Sequence, residues 1–328
     1  MSGSVAIVGA GQIGHAVAGA YAARGWQVTL HARSRPEWSV PGAHFAPYSK
    51  GRDPAPQADV VVDTIAFDAE DVDRYDPRKV GRLIAISSAS VYCDEDGRTL
   101  DEAARGGFPR LPDPIRESQN VVAPGPETYS TRKVRMETAA QARFGPRATI
   151  LRPCAIHGPW SRHPREWWFV KRLLDRRTAI PLAREGRSRF QTTSARKIGE
   201  AACEAGTRDL GGTFNLADRD SPTVHEIGLA IAQAMGASTQ FVLCKDATPQ
   251  PVGRTPWSIP APFVLSSEAA WTAFDLSAQP FALAVEPAVE WLAERRPDDW
   301  RTDFPQLAAY PWDLFNYEAE DRYLLESA

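Results

Sequence analysis

Val5 to Val8 is a short apolar run, and the stretch GAGQIG (Gly9 to Gly14) follows it directly. Beyond the glycines, Ile13, Val17, Ala20 and Tyr21 recur at helical spacing, and Gly25 supplies a stop. Trp26 to Leu30 then alternates like a second strand, so the opening predicts strand, turn, helix, strand. Arg33 to Gln57 is rich in Pro, Gly and Arg, with one short strand expected near 44–46 and a strand–helix unit cut short. Val60 to Ile65 and Leu83 to Ile86 read as buried strands, Tyr129 to Arg143 as a helix ended by Gly145-Pro146, and Ala148 to Leu151 as the next strand. Strict alternation fades past Pro159. There the pattern predicts a helix at 167–174, a strand at 213–216 and a helix at 223–235, the last opened by the capping pair Thr223 and Glu226 and stopped by Gly236. The fold class expected is α/β: a doubly wound parallel Rossmann sheet with a smaller mixed α/β C-terminal lobe for substrate. The dinucleotide-binding domain is drawn at 1–155 and the substrate lobe at 156–328, with the lobes interleaved and the boundary approximate.

Two stretches break this pattern. Residues 93–128 carry prolines at 109, 112, 114, 124 and 126 and read as one long loop. A loop of that length is either a functional lid or a tolerated surface insertion. The last 29 residues hold seven aromatics from Trp300 to Tyr323, which predicts a tail packed on the body or on a second subunit.

Composition narrows the function classes. The chain has 328 residues, 43% hydrophobic and 24% charged, with a net charge of −3, so no basic field gathers nucleic acid or anionic lipid. No apolar run reaches the ~18 residues of a membrane span, and no charged leader precedes the first strand. Four separated cysteines suggest isolated thiols in a reducing compartment, with no metal site. A cytoplasmic protein with a small-molecule substrate is expected, with no nucleic acid and no membrane as partner.

The glycines are the first chemical signal. Gly9 permits a tight turn, Gly11 lets backbone approach a pyrophosphate, and Gly14 allows close helix–sheet packing; Gln12 and Ile13 lie in the same turn. At the end of the second strand, where NAD enzymes usually place a carboxylate for the ribose, the chain reads HARSR. Arg33 and Arg35 there could hold a 2′-phosphate by charge-assisted bonds, which favours NADP with NAD as the alternative. The other reading is a pair of solvated loop arginines. The turn SSASVY (Ser87 to Tyr92) follows a strand and can present hydroxyls, and Tyr129 and Lys133 stand four apart on one helix face. An ammonium there would lower the phenol's pKa towards working pH and make Tyr129 a proton donor and acceptor.

Together these pieces resemble the extended short-chain dehydrogenase/reductase family, which includes NAD-dependent nucleotide-sugar epimerases and dehydratases. The likeness is collinear from about Ser4 to Gly236: GAGQIG, then SSASVY against SSxxVYG, Glu117 and Pro124, the YxxxK of Tyr129 and Lys133, LRPCAIHGP against LRPxxVYGP, and GGTFNLAD. By position, the resemblance implies Ser88, Tyr129 and Lys133 as the catalytic set. It places Ser87, the loop from Thr64 to Phe67 with Thr64 and Ala66 in it, and Pro153 and Ala155 along the cofactor. Ser90, His157, Trp167 and Arg189 are expected toward substrate, the other readings being a locally satisfied polar residue for His157 and helical core packing for Trp167; a homodimer through two helices would suit the likeness. The departures are informative. Ala89-Ser90 stands where sugar dehydratases show an Asp-Glu pair, which disfavours dehydration, and Arg189 survives in RFQTTSA without the family's aspartates. The expected function is NAD(P)-dependent hydride transfer at a secondary alcohol or ketone of a small polar or sugar-like substrate. The alternatives are an epimerase working through a transient keto intermediate and a non-catalytic cofactor sensor.

Overall fold

A computed structural model describes residues 3–245, 252–277 and 279–326. The chain divides into two compact units. The first comprises Met1–Ile156, Ala195–Ala217 and Leu265–Ser277; the second comprises His157–Ser194, Asp218–Val264 and Ala278–Ala328.

The first unit is built on a seven-stranded parallel sheet: β1 (Ser4–Val8), β2 (Gln27–Ala32), β3 (Ala43–Pro47), β4 (Ala58–Asp63), β5 (Val80–Ile86), β6 (Ala148–Pro153) and β7 (Gly212–Leu216). Their spatial order is β7-β6-β5-β4-β1-β2-β3. Val5 of β1 pairs with Val28 on one side and Val60 on the other, so the strand order reverses between β1 and β4, the place where open α/β sheets bind ligands. The central strands are apolar on both faces because helices cover both. On one face Val8, Val61, Leu83 and Ile150 pack with Met136 and Phe144 of the helix Tyr129–Phe144. On the other, helix Gln12–Ala22 packs against helix Ala195–Thr207. That contact needs glycine: a Cβ on Gly199 would lie 2.6 Å from the Ala16 carbonyl oxygen.

The shortened third unit has a physical basis. Residues 33–42 join β2 to β3 without a helix. Trp38 fills the space instead, 7% exposed, packing edge-on to His15 and donating its indole N–H to the Ala10 carbonyl at 3.1 Å. Residues 93–128 are more ordered than a plain loop. They hold one helical turn at Ala103–Gly106 and isolated bridges from Tyr92 to Val121, Cys93 to Thr99 and Ile115 to Leu265.

In the second unit, helices Trp167–Leu174 and Val224–Ala234 pack together, and strands Ala179–Leu182 and Gln240–Leu243 pair in parallel. The aromatic tail packs within this unit. Arg172, 1% exposed, lies over the Trp168 ring, donates to the Leu314 carbonyl at 2.8 Å and pairs with Glu320. Among the described residues no helix is long and apolar enough to cross a membrane.

Candidate active site

The Gly-rich turn closes β1. Gly9 adopts φ +109°, and a Cβ there would collide with the Thr64 hydroxyl; a Cβ on Gly14 would collide with the Gly9 carbonyl. Gly11 differs, since nothing lies within 4 Å of where its Cβ would be. Gly11 also caps helix Gln12–Ala22 with no side-chain bond, and no acidic residue sits in the first turn. The helix therefore presents unsatisfied N–H groups beside open space, the arrangement an anion requires. Gln12 Oε1 is buried there without a hydrogen-bond partner. An open glycine and an uncapped helix start fit a dinucleotide's phosphates, while the Gln12 amide oxygen can only accept, from a hydroxyl or an N–H.

Across the switch point, the Thr64 hydroxyl and backbone N–H both donate to the Val8 carbonyl, at 2.9 and 3.0 Å, pinning the ends of β1 and β4 together. Arg33 directly follows β2 and is exposed; Arg35 is exposed with its guanidinium 5.0 Å over the Phe45 ring. Pro153 ends β6, and both it and Ala155 are buried.

Thr128 caps helix Tyr129–Phe144 through a reciprocal box with Thr131, which fixes Tyr129 as the first helical residue. One turn on, the Lys133 ammonium donates to the Ala66 carbonyl at 2.6 Å and the Ile86 carbonyl at 3.0 Å. The helix start is thereby tied to the carboxyl ends of β4 and β5. Burial lowers the Lys133 pKa to about 8, with the charge of Asp63 the largest counterweight. Ser88 follows β5 and starts a short turn, its hydroxyl accepting from the Ser90 N–H at 3.1 Å and donating to the Ser90 hydroxyl at 3.1 Å.

The Tyr129 phenol moves opposite to the sequence expectation. Burial pushes its pKa up to about 12; a hydrogen bond with Ser88 opposes this and Asp101 adds to it. Lys133 Nζ lies 5.7 Å from the ring centre, and its charge does not overcome the desolvation.

Ser87 carries a different duty from its neighbour. Its hydroxyl donates to Glu137 at 2.5 Å, and Glu137 is gripped by both arms of Arg152 at 2.9 and 2.5 Å. Arg152 also donates to the Tyr92 hydroxyl, which donates to Asn215 Oδ1 at 2.6 Å. This buried network fixes the turn that carries Ser88. Sequence reading missed Glu137 and Arg152; the available signal was a polar residue four positions after Lys133 on the same buried face.

The remaining substrate candidates lie in the second unit. His157 Nε2 meets Asp218 Oδ2 at 2.7 Å, both side chains 1% exposed, and Asp218 raises the histidine's pKa against the effect of burial. Trp167 is buried edge-on to Phe304, and Arg189 donates to the Ser221 carbonyl at 3.4 Å. A separate cavity of about 460 Å³, lined by Ser4, Asp59, Arg78 and Lys79 among others, opens at the amino ends of β1, β4 and β5. That is the opposite end of the sheet from the hydroxyl cluster, and open α/β sheets bind ligands at the carboxyl ends. Among the described residues no three His, Cys, Asp or Glu side chains group as metal ligands.

Comparison with solved structures places this architecture. The chain has the fold of the extended short-chain dehydrogenase/reductase epimerases and dehydratases. It is similar to WbmH of Bordetella bronchiseptica in complex with NAD+, with a TM-score of 0.66 and 19% identity over 89% of this chain and 99% of that one. It is also similar to a UDP-galactose 4-epimerase (TM-score 0.63, 18% identity, 89% and 99% covered). A third is the dTDP-glucose 4,6-dehydratase of Bacillus anthracis in complex with NAD (0.60, 16%, 90% and 98%). No family model matches the chain, and no curated protein matches it.

Proposed function

We propose that the protein is an NAD(P)-dependent oxidoreductase acting on a secondary alcohol or ketone of a small polar or sugar-like molecule, with NADP(H) preferred. The observation that supports this most is the convergence of Ser88, Tyr129 and Lys133 at the carboxyl ends of β4 and β5, beside the switch point that carries the open Gly11 turn. A nicotinamide cofactor held at that turn supplies the hydride donor or acceptor. The protein's own residues manage the oxygen and its proton. Ser88 orients the reacting oxygen by hydrogen bonding, and Tyr129 exchanges the proton with it. A phenol held at about 12 carries its proton at neutral pH, the state that carbonyl reduction requires. Lys133 spends two donors on backbone carbonyls and keeps a third for a ligand hydroxyl. Arg33, exposed at the end of β2 where an NAD site would place an acid, supports the NADP preference.

The epimerase reading is favoured by the likeness to several solved nucleotide-sugar 4-epimerases. In it, one carbon is oxidised and re-reduced at the same three side chains without net redox change. Mass spectrometry of small molecules released on denaturing the purified protein separates the two. NADP(H) that exchanges freely with added cofactor is the expected result; tightly retained NAD+ would overturn the leading reading for the epimerase. Tyr129→Phe should leave cofactor affinity intact and lower turnover by about 10²–10⁴. A folded variant near full rate would remove Tyr129 from the mechanism.

A further inference from the structure

Beyond Ser88, two buried hydroxyls and one carboxylate continue in a line that the reaction above does not use. Ser88 Oγ donates to Ser90 Oγ at 3.1 Å; Ser130 Oγ lies 3.4 Å from Ser90 Oγ and 3.3 Å from Glu102 Oε2. Ser90 and Ser130 are 4% and 0% exposed, whereas Glu102, on the 93–128 segment, is half-buried and also accepts from Thr99. At the inner end Ser88 meets Tyr129. A buried hydroxyl costs about 1–3 kcal/mol in desolvation if its partner is lost, and alanine at either position, like neighbouring Ala89, would carry no such liability. A hydroxyl both donates and accepts and turns freely about its C–O bond, so it can pass a proton on while its oxygen stays in place.

We infer that Ser88, Ser90 and Ser130 form a proton path from Tyr129 to Glu102, with the 93–128 segment supplying its outlet. The inference rests on Tyr129 as the proton-exchanging group. When Tyr129 gives its proton to a substrate oxygen, the phenolate takes one from Ser88, Ser88 from Ser90, Ser90 from Ser130, and Ser130 from the protonated Glu102. The carboxylate is then refilled from water. Each hydroxyl loses one proton and gains one, and no electrons move; oxidation runs the same steps backwards. A reaction with net redox change must exchange a proton with solvent at every turnover, which a closed site cannot do without such a route. Ser90, Ser130 and Glu102 are thus positioning residues that act through Ser88 and Tyr129. The two links at Ser130 are at the long end of the hydrogen-bond range, so Ser130 is where the path should be cut most easily.

Carbon-13 at tyrosine Cζ, in a mixture of light and heavy water, reads how fast a phenol hydroxyl exchanges with solvent without any substrate, and Tyr129→Phe assigns the resonance. The other ionisable groups facing Tyr129 are Asp101 and Lys133. With the full-length protein, exchange at Tyr129 should slow several-fold in Glu102→Gln and in Ser130→Ala. It should keep its rate in Asp101→Asn, and in Thr99→Val, which removes the other partner of Glu102 but leaves the path whole. Ser90→Ala cuts one hydroxyl earlier and gives the same answer if Ser130→Ala does not fold. A rate untouched by both serine variants, or slowed equally in Thr99→Val, would show that Glu102 only braces the segment and would overturn the path. Failure of the oxidoreductase reading looks different: the purified protein would hold tightly retained NAD+ while the slowing remained.

Discussion

Lys133 and Arg152 are two buried cations of one unit, and the fold treats them in opposite ways. Arg152 is 6% exposed and matched by a two-armed bond to Glu137, which raises its pKa against the effect of burial. Lys133, equally buried and four residues from the same glutamate, donates to two backbone carbonyls, makes no ion pair among the described residues and is pushed down to about 8. A charge kept for architecture is given its counter-ion; the one that the proposed reaction reserves for a ligand is left short. The matched pair then costs most when half of it is removed, and the unmatched cation is a standing strain that binding can relieve.

The largest expected effect follows from the matched side. Glu137→Gln leaves Arg152 buried without its partner and should cost about 3–5 kcal/mol, read as a lower urea midpoint. Lys133→Met should do the reverse. Its lowered pKa means the unfolded chain binds the proton more tightly, so the ammonium costs about 3 kcal/mol at pH 7. Loss of its two carbonyl contacts at about 1 kcal/mol each leaves the variant at least as stable as wild type. Wild-type stability relative to the variant should also climb as pH rises from about 8 towards the ordinary lysine value of 10.5. A destabilised Lys133→Met at pH 7 would erase the contrast.

The second unit offers a milder test. His157 is raised and Asp218 lowered. The histidine's contribution is complete below its ordinary 6.5 and fades as pH climbs through its folded value. The aspartate's is complete above 3.8 and fades in acid. Chemical denaturation across pH should show stability falling above about pH 6.5, with a slope of at most about 1.4 kcal/mol per pH unit, absent in His157→Gln. Smallest of all is the exposed cation. Arg33→Ala should narrow the preference of NADPH over NADH by about 1 kcal/mol, or several-fold, by calorimetry, and an unchanged ratio would return Arg33 to the solvent.

The features legible in the sequence are those set by local rules. The turn from Gly9 to Gly14, the Thr223–Glu226 cap and the shared face of Tyr129 and Lys133 need only a few neighbouring residues to be read. What escaped depends on distant burial. The direction of the Tyr129 shift is decided by how much protein surrounds the phenol, which no spacing reveals. Glu102 lies 28 residues before Ser130 in a Pro-rich stretch, and nothing in that stretch marks it as a partner of a helix start. Glu137 hid because a glutamate on a helix ordinarily reads as surface.

The strand Gly212–Leu216 lies beside β6, yet 58 residues separate Pro153 from Gly212, and the helix Ala195–Thr207 that covers Gln12–Ala22 is made only after the chain has left for the second unit. A ribosome that has released only the first 160 residues has therefore delivered a sheet whose β6 edge is bare and whose first helix lacks its cover. Such an edge pairs with whatever strand it meets. The nascent protein must wait, or be shielded, until the returning segments arrive.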